Sequence, residues 1–153
     1  MSFRRVVVVL LAGWLTLAGA PAAFADSRGA GLASDHHRGP ARVHFVAHMH
    51  DGRARRGQHF TASRVRILKI DVEWRTLVGA HTQRLDVLMP DGSVYQRFTS
   101  EVRSADGRAT VEAQVPVAGT WITEFSLEGT WEVNVYLDNA VTPVATASFT
   151  LAK

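Results

Sequence analysis

The sequence predicts an all-β fold: an antiparallel sandwich of about seven strands, preceded by a cleaved signal segment and a flexible lead. Three observations carry this. Apolar residues recur with period two in one segment after another between Val43 and Leu151, the spacing that puts them on one face of a pleated strand. Turn-forming clusters punctuate those segments, among them Asp51-Gly52, Pro90-Asp91-Gly92, Ser104 to Arg108 and Asp138 to Pro143. No long stretch keeps a helical period, and strands do not alternate with helices, which argues against a parallel sheet.

The chain has 153 residues, 46% of them hydrophobic, and no cysteine. That length suits one ordinary domain, and the apolar fraction is too high for a wholly disordered chain. Residues 1–25 read as a signal peptide. Arg4 and Arg5 precede the uncharged run Val6 to Ala18, and Ala23-Phe24-Ala25 supplies the small-residue pattern for cleavage between Ala25 and Asp26. The run is shorter than the roughly 20 residues a spanning helix needs. A periplasmic or secreted product is therefore expected, with no transmembrane segment after cleavage. Removing these residues, which hold two arginines and no acid, takes the chain to 128 residues and a net charge of +1. Without cysteine, thiolate catalysis, iron–sulfur clusters, thiolate zinc sites and blue copper are excluded.

Residues 26–40 read as the flexible lead, since Leu32 is their only large apolar residue. The sandwich is expected over 41–153. Val43, Phe45, Ala47 and Met49 alternate with His44, Val46, His48 and His50 as the first strand, and Asp51 to Gly57 reads as a basic loop. Leu68, Ile70, Val72 and Trp74 form the next inward face, while Val65 and Ile67 break its phase, as at a bulge or a strand changing sheets. Leu85, Val87 and Met89 follow, then the turn at Pro90 into Val94 to Val102. Val111, Ala113, Val115 and Val117 face inward next. Trp121 to Leu127 fits a short helix or an irregular edge. Trp131, Val133, Val135 and Leu137, then Ala145, Ala147, Phe149 and Leu151, close the pattern. Trp74 and Trp131 fall in the apolar phase and are expected in the core.

Gly129 to Asp138 followed by Ala147 to Leu151 resembles the closing hairpin of bacterial exported immunoglobulin-like (fibronectin type III-like) domains, and Gly79 to Tyr95 looks like an earlier hairpin of the same kind. The resemblance spans roughly 61–151 and implies architecture alone, because such sandwiches host unrelated functions. The paired cysteines of antibody domains are missing.

Charge divides the chain after cleavage. Residues 26–66 carry eight arginines against three acids and hold six of the seven histidines, whereas 67–153 carry seven basic and eleven acidic groups. His48 and His50, two residues apart on a strand, would stand about 6.6 Å apart on one face. That is close enough to converge on one zinc or copper ion, with His59, His36, His37 or Asp51 as the third ligand. Arg53, Arg55 and Arg56 could meet a polyanion. Trp121 could present a stacking surface. Aromatic residues interleaved with the arginines are few, so no nucleic acid is expected. No nucleophile elbow, metalloprotease motif or phosphate loop is present, and no catalytic residue or required cofactor is predicted. The expectation is a non-catalytic binding or structural module of the cell envelope, partnered by a protein or another envelope component. Zinc or copper binding by the histidines and polyanion attachment through Arg53–Arg56 stand as alternatives.

Overall fold

The computed structural model describes residues 39–153. The signal segment, its cleavage point, most of the lead, His36 and His37 lie outside the described residues. In chain order the elements are β1 (Ala41–Met49), β2 (Ala54–Arg56), β3 (His59–Thr61), a 3₁₀ turn (Ala62–Arg64), β4 (Val65–Trp74), β5 (Gly79–Leu88), β6 (Val94–Ser104), β7 (Ala109–Pro116), α1 (Trp121–Glu124), β8 (Gly129–Leu137) and β9 (Ala145–Ala152).

Two sheets pack face to face. One has the order β2-β1-β4-β7 and the other β3-β9-β8-β5-β6. The chain changes sheets between β4 and β5, returns between β6 and β7, and crosses again before β8, an immunoglobulin-like arrangement. The predicted fold class holds. The strand count differs from about seven: the described residues contain seven long strands and two of three residues each. The stretch read as a loop between Asp51 and Gly57 contains one of these, β2, held against Val46 to His48 of β1. The other, β3, pairs parallel to β9 over His59 to Thr61, so the second sheet is mixed. Both corrections have one cause. The chain passes from one sheet edge to the other after Gly57, and backbone groups along that path must find partners.

The period-two residues face each other across the sandwich. Leu68, Ile70, Val72 and Trp74 of β4 and Leu85 and Val87 of β5 are fully buried. Val65 is also buried, and the phase break is a bulge: β1 and β4 slip register between His48 and Met49, so Met49 pairs with Val65 while His48 pairs with Ile67. The extra residue, Arg66, lets both Val65 and Leu68 turn inward. Aromatic rings fill the centre. Phe45 and Phe149 lie 5.1 Å apart, Trp131 stacks on Phe149 at 5.9 Å, and Tyr95 meets Trp131 edge-on at 5.3 Å. Both core indoles have acceptors, as buried N–H groups require. Trp74 Nε1 donates to Gln83 Oε1 at 2.7 Å and Trp131 Nε1 to the Leu127 carbonyl at 3.1 Å.

The uncertain stretch after β7 is a single helical turn. The Thr120 hydroxyl accepts from the Ile122 N–H at the N-terminus, and Ile122 turns inward. At the start of β8, Gly129 holds φ 135°, and a Cβ there would lie 2.9 Å from Pro90 Cγ. Glycine is needed at that point both for the backbone angle and for the close approach.

Candidate functional site

β1 ends, β4 begins, β7 ends and β8 begins at the same end of the sandwich. The β1–β2 turn, the 3₁₀ turn and α1 therefore gather there. Asp51-Gly52 makes the turn as its residue types dictate. Gly52 takes φ 82°, its N–H donates to the Met49 carbonyl at 3.1 Å, and Met49 N–H donates to the Arg53 carbonyl at 2.8 Å. The Asp51 carboxylate accepts from the Arg53 N–H at 3.0 Å. The turn is then tied to the 3₁₀ segment, because His50 N–H donates to the Arg64 carbonyl at 3.1 Å.

Between the two lies a hollow of about 500 Å³ lined by Met49, His50, Asp51, Arg53, Ala54, Arg55, Ser63 and Arg64. Among the described residues, three guanidinium groups border it and Asp51 is its only acid. The Arg53 side chain is 86% exposed and stands 3.8 Å from the Asp51 carboxylate, a solvated pair that leaves its donors available. Of the arginines singled out in the sequence, the structure brings Arg53 and Arg55 to this hollow. Arg56 sits opposite Val46 on the outward side of β2 and does not line it. Ser63 and Arg64 were missed, because only the return of the 3₁₀ turn to the end of β1 brings them there. The run of five arginines between Arg53 and Arg66 was the available signal.

Trp121 is 68% exposed, and its ring meets the 65% exposed Phe125 edge-on at 6.0 Å. Its helix packs beside the 3₁₀ turn. The aromatic pair and the basic hollow thus share one end of the sandwich.

The histidines do not share a strand face as their spacing suggested. β1 ends at Met49, and His50 belongs to the turn. His48 lies on the outward face of the four-stranded sheet, opposite Ile67. His59 opens β3 in the other sheet, opposite Thr150. The bulge at Met49 and the chain's change of sheet after Gly57 separate what the sequence places close. Among the described residues, no three histidine, aspartate or glutamate side chains are grouped so as to hold a metal ion.

The outward face of the four-stranded sheet carries paired charges. Lys69 Nζ lies 2.6 Å from Glu112 and 3.5 Å from Asp71, and His44 Nε2 lies 3.4 Å from Glu73. The Lys69 hydrogen bond holds the Glu112 carboxyl below the usual range, and the His44 contact does the same for Glu73. These acids already have cationic or hydrogen-bonding partners.

On the opposite outer face, one polar row crosses four strands: Arg97, Asp86, Asn134 and Thr146. Arg97 grips the buried Asp86 with two bonds of 2.6 and 2.8 Å, and Thr146 Oγ1 donates to Asn134 Oδ1 at 2.7 Å. Arg84 lays its guanidinium 3.8 Å over the Tyr136 ring.

At the far end, His81 Nδ1 lies 3.0 Å from Asp138 Oδ2 and its Nε2 3.0 Å from the Val78 carbonyl. Both neighbours accept, so only the imidazolium satisfies both contacts. The Asp138 carboxylate first, and the Val78 carbonyl second, push the His81 pKa above its ordinary 6.5.

No protein-family model matches the sequence, and no curated protein does. Among solved structures, the fold is similar to the CARDB domain of a Pyrococcus furiosus protein, a structure in complex with di-metal ions. The identity is 12% and the TM-score 0.42, with 73% of this chain and 85% of that chain covered. Among the described residues, no helix is long and apolar enough to cross a membrane.

Proposed function

We propose that the protein is an exported, non-catalytic binding module that attaches to an anionic polymer of the cell envelope through the basic hollow at the end of the sandwich. The observation that carries this reading is the convergence of Arg53, Arg55 and Arg64 on a hollow of about 500 Å³ with a single acid among its described lining residues. Guanidinium groups suit this role, because each presents a planar fork of donors to carboxylate, sulfate or phosphate oxygens. Their exposure favours a long, flexible anion that contacts them from solvent over a small molecule needing enclosure. Trp121 and Phe125 extend the surface with aromatic area that a sugar ring could stack on. Export rests on the leader pattern of residues 1–25.

Heparin and inorganic polyphosphate serve as probes. Binding is expected to weaken steeply with salt, and Arg53→Gln, Arg55→Gln and Arg64→Gln each lower the slope of log affinity against log salt by about one. Salt-independent binding, or affinity unchanged in the triple variant, overturns the reading. Reproducible hydrolytic or redox turnover by the purified protein overturns its non-catalytic part.

A further inference from the structure

We propose that the uncovered edge of β9 is a self-pairing surface, through which two copies of this chain join their five-stranded sheets into one. Among the described residues the edge is uncovered because β3 reaches only part of it. β3 pairs with Thr150 to Ala152, and among the described residues no strand pairs with Ala145 to Phe149 on that side. Beside this stretch runs a groove of about 880 Å³, with Thr146 and Ser148 on one wall, Arg42 and His44 of β1 on the other, and Pro143 and Gln58 among its remaining lining residues.

The peptide groups point the right way. Thr150 N–H donates outward to the Gln58 carbonyl at 2.6 Å. Alternation along the strand then aims the N–H and C=O of Ser148 and Thr146 at the same open edge. Such groups form a template for another chain, and natural sheets usually blunt them with charge or proline. The outer strands β2, β6 and β7 are blunted in this way, and β3 is only three residues long. β2 carries Arg55 and Arg56; β6 carries Arg97, Glu101 and Arg103; β7 carries Glu112 and ends in Pro116. The open part of β9, Ala-Thr-Ala-Ser-Phe, carries neither charge nor proline.

A second copy fits because this stretch is complementary to itself. Antiparallel pairing about a two-fold axis through Ala147 sets Thr146 opposite Ser148 of the other copy, and Ser148 opposite its Thr146. Residues of the same face stay matched, and each such pair exchanges two backbone hydrogen bonds. Hydroxyl side chains oppose each other, a favourable cross-strand pair, and no charge faces a like charge. The contact is isologous and closes at two copies.

Sedimentation of the protein over a wide concentration range tests this. A reversible dimer of twice the 16.7 kDa chain mass is expected, less the leader where it has been removed. Ser148→Lys places two like charges across the axis and is expected to raise the dimer dissociation constant about tenfold or more. Ser148 is exposed and points out of the core, so an unchanged melting profile checks that the variant folds. As an independent measurement, Ala147→Cys introduces the only cysteine of the chain and places it on the axis. Mild oxidation should link two copies, whereas Ser93→Cys in the β5–β6 turn should give no such link. A monomer at every concentration, a dimer unaffected by Ser148→Lys, or cross-linking equal in the two cysteine variants each overturns the proposal.

Discussion

Replacing Gln83 with methionine removes an acceptor while keeping the length of the side chain. Trp74 is fully buried and Gln83 is 2% exposed, so the indole N–H that donates across 2.7 Å has no water to turn to. A buried donor stripped of its partner costs about 1–3 kcal/mol, more than the net worth of the bond itself. For a domain of this size that corresponds to a fall in melting temperature of roughly 3–6 °C per kcal/mol. The sharper test is a double-mutant cycle with Trp74→Phe, which removes the donor. If the penalty comes from the orphaned N–H, Trp74→Phe costs less in the Gln83→Met background than in the wild type, by about 1 kcal/mol. Urea unfolding followed by far-ultraviolet circular dichroism gives all four stabilities without relying on Trp74 as the reporter. A coupling near zero, or a Gln83→Met loss below about 0.5 kcal/mol, the ordinary size of a surface change, would refute the reasoning.

His81 makes stability depend on pH with a definite sign. Its pKa is raised in the folded protein from 6.5, so its contribution is complete below about pH 6.5 and is lost as pH rises through the raised value. Asp138 is lowered from 3.8 mainly by the same contact, so its contribution disappears only in acid. Melting temperature measured across neutral to alkaline pH should therefore fall in the wild type and fall less in His81→Gln; equal slopes would exclude the pair as the source. Gly129→Ala should destabilise by about 1–3 kcal/mol, since alanine must accept φ 135° and push against Pro90. Thermal unfolding checks this, and a variant as stable as the wild type would show that the β7–β8 connection relaxes at no cost.

The inward face of the sandwich was legible because burial imposes a simple rule on a strand. Phe45, Leu68, Trp74, Leu85, Trp131 and Phe149 each stand in alternating apolar phase, and each is buried. Even the phase break at Val65 and Ile67 was visible, because a bulge must disturb the period. The short strands β2 and β3 were not legible. Three residues are too few to show a period, and these are held by pairing with distant β1 and β9 rather than by their own composition. The candidate site was half legible. The arginine run announced a basic surface, but the division between Arg55 and Arg56 depends on which side of β2 faces the hollow.

The amino-acid sequence by itself determined that the chain makes a disulfide-free sandwich, which residues fill it, and that its basic charge is concentrated before β4. Those properties follow from local period, composition and the absence of cysteine. Tertiary structure alone decided which charged and polar groups meet. It sent His48, His50 and His59 to an outward face, a turn and the other sheet, and it brought Ser63 and Arg64 back to the hollow beside Arg53 and Arg55. The physical reason is that meeting points on a sandwich are set by strand register and by where the chain changes sheets. Both come from pairing between residues far apart in the chain, which a period of two does not encode.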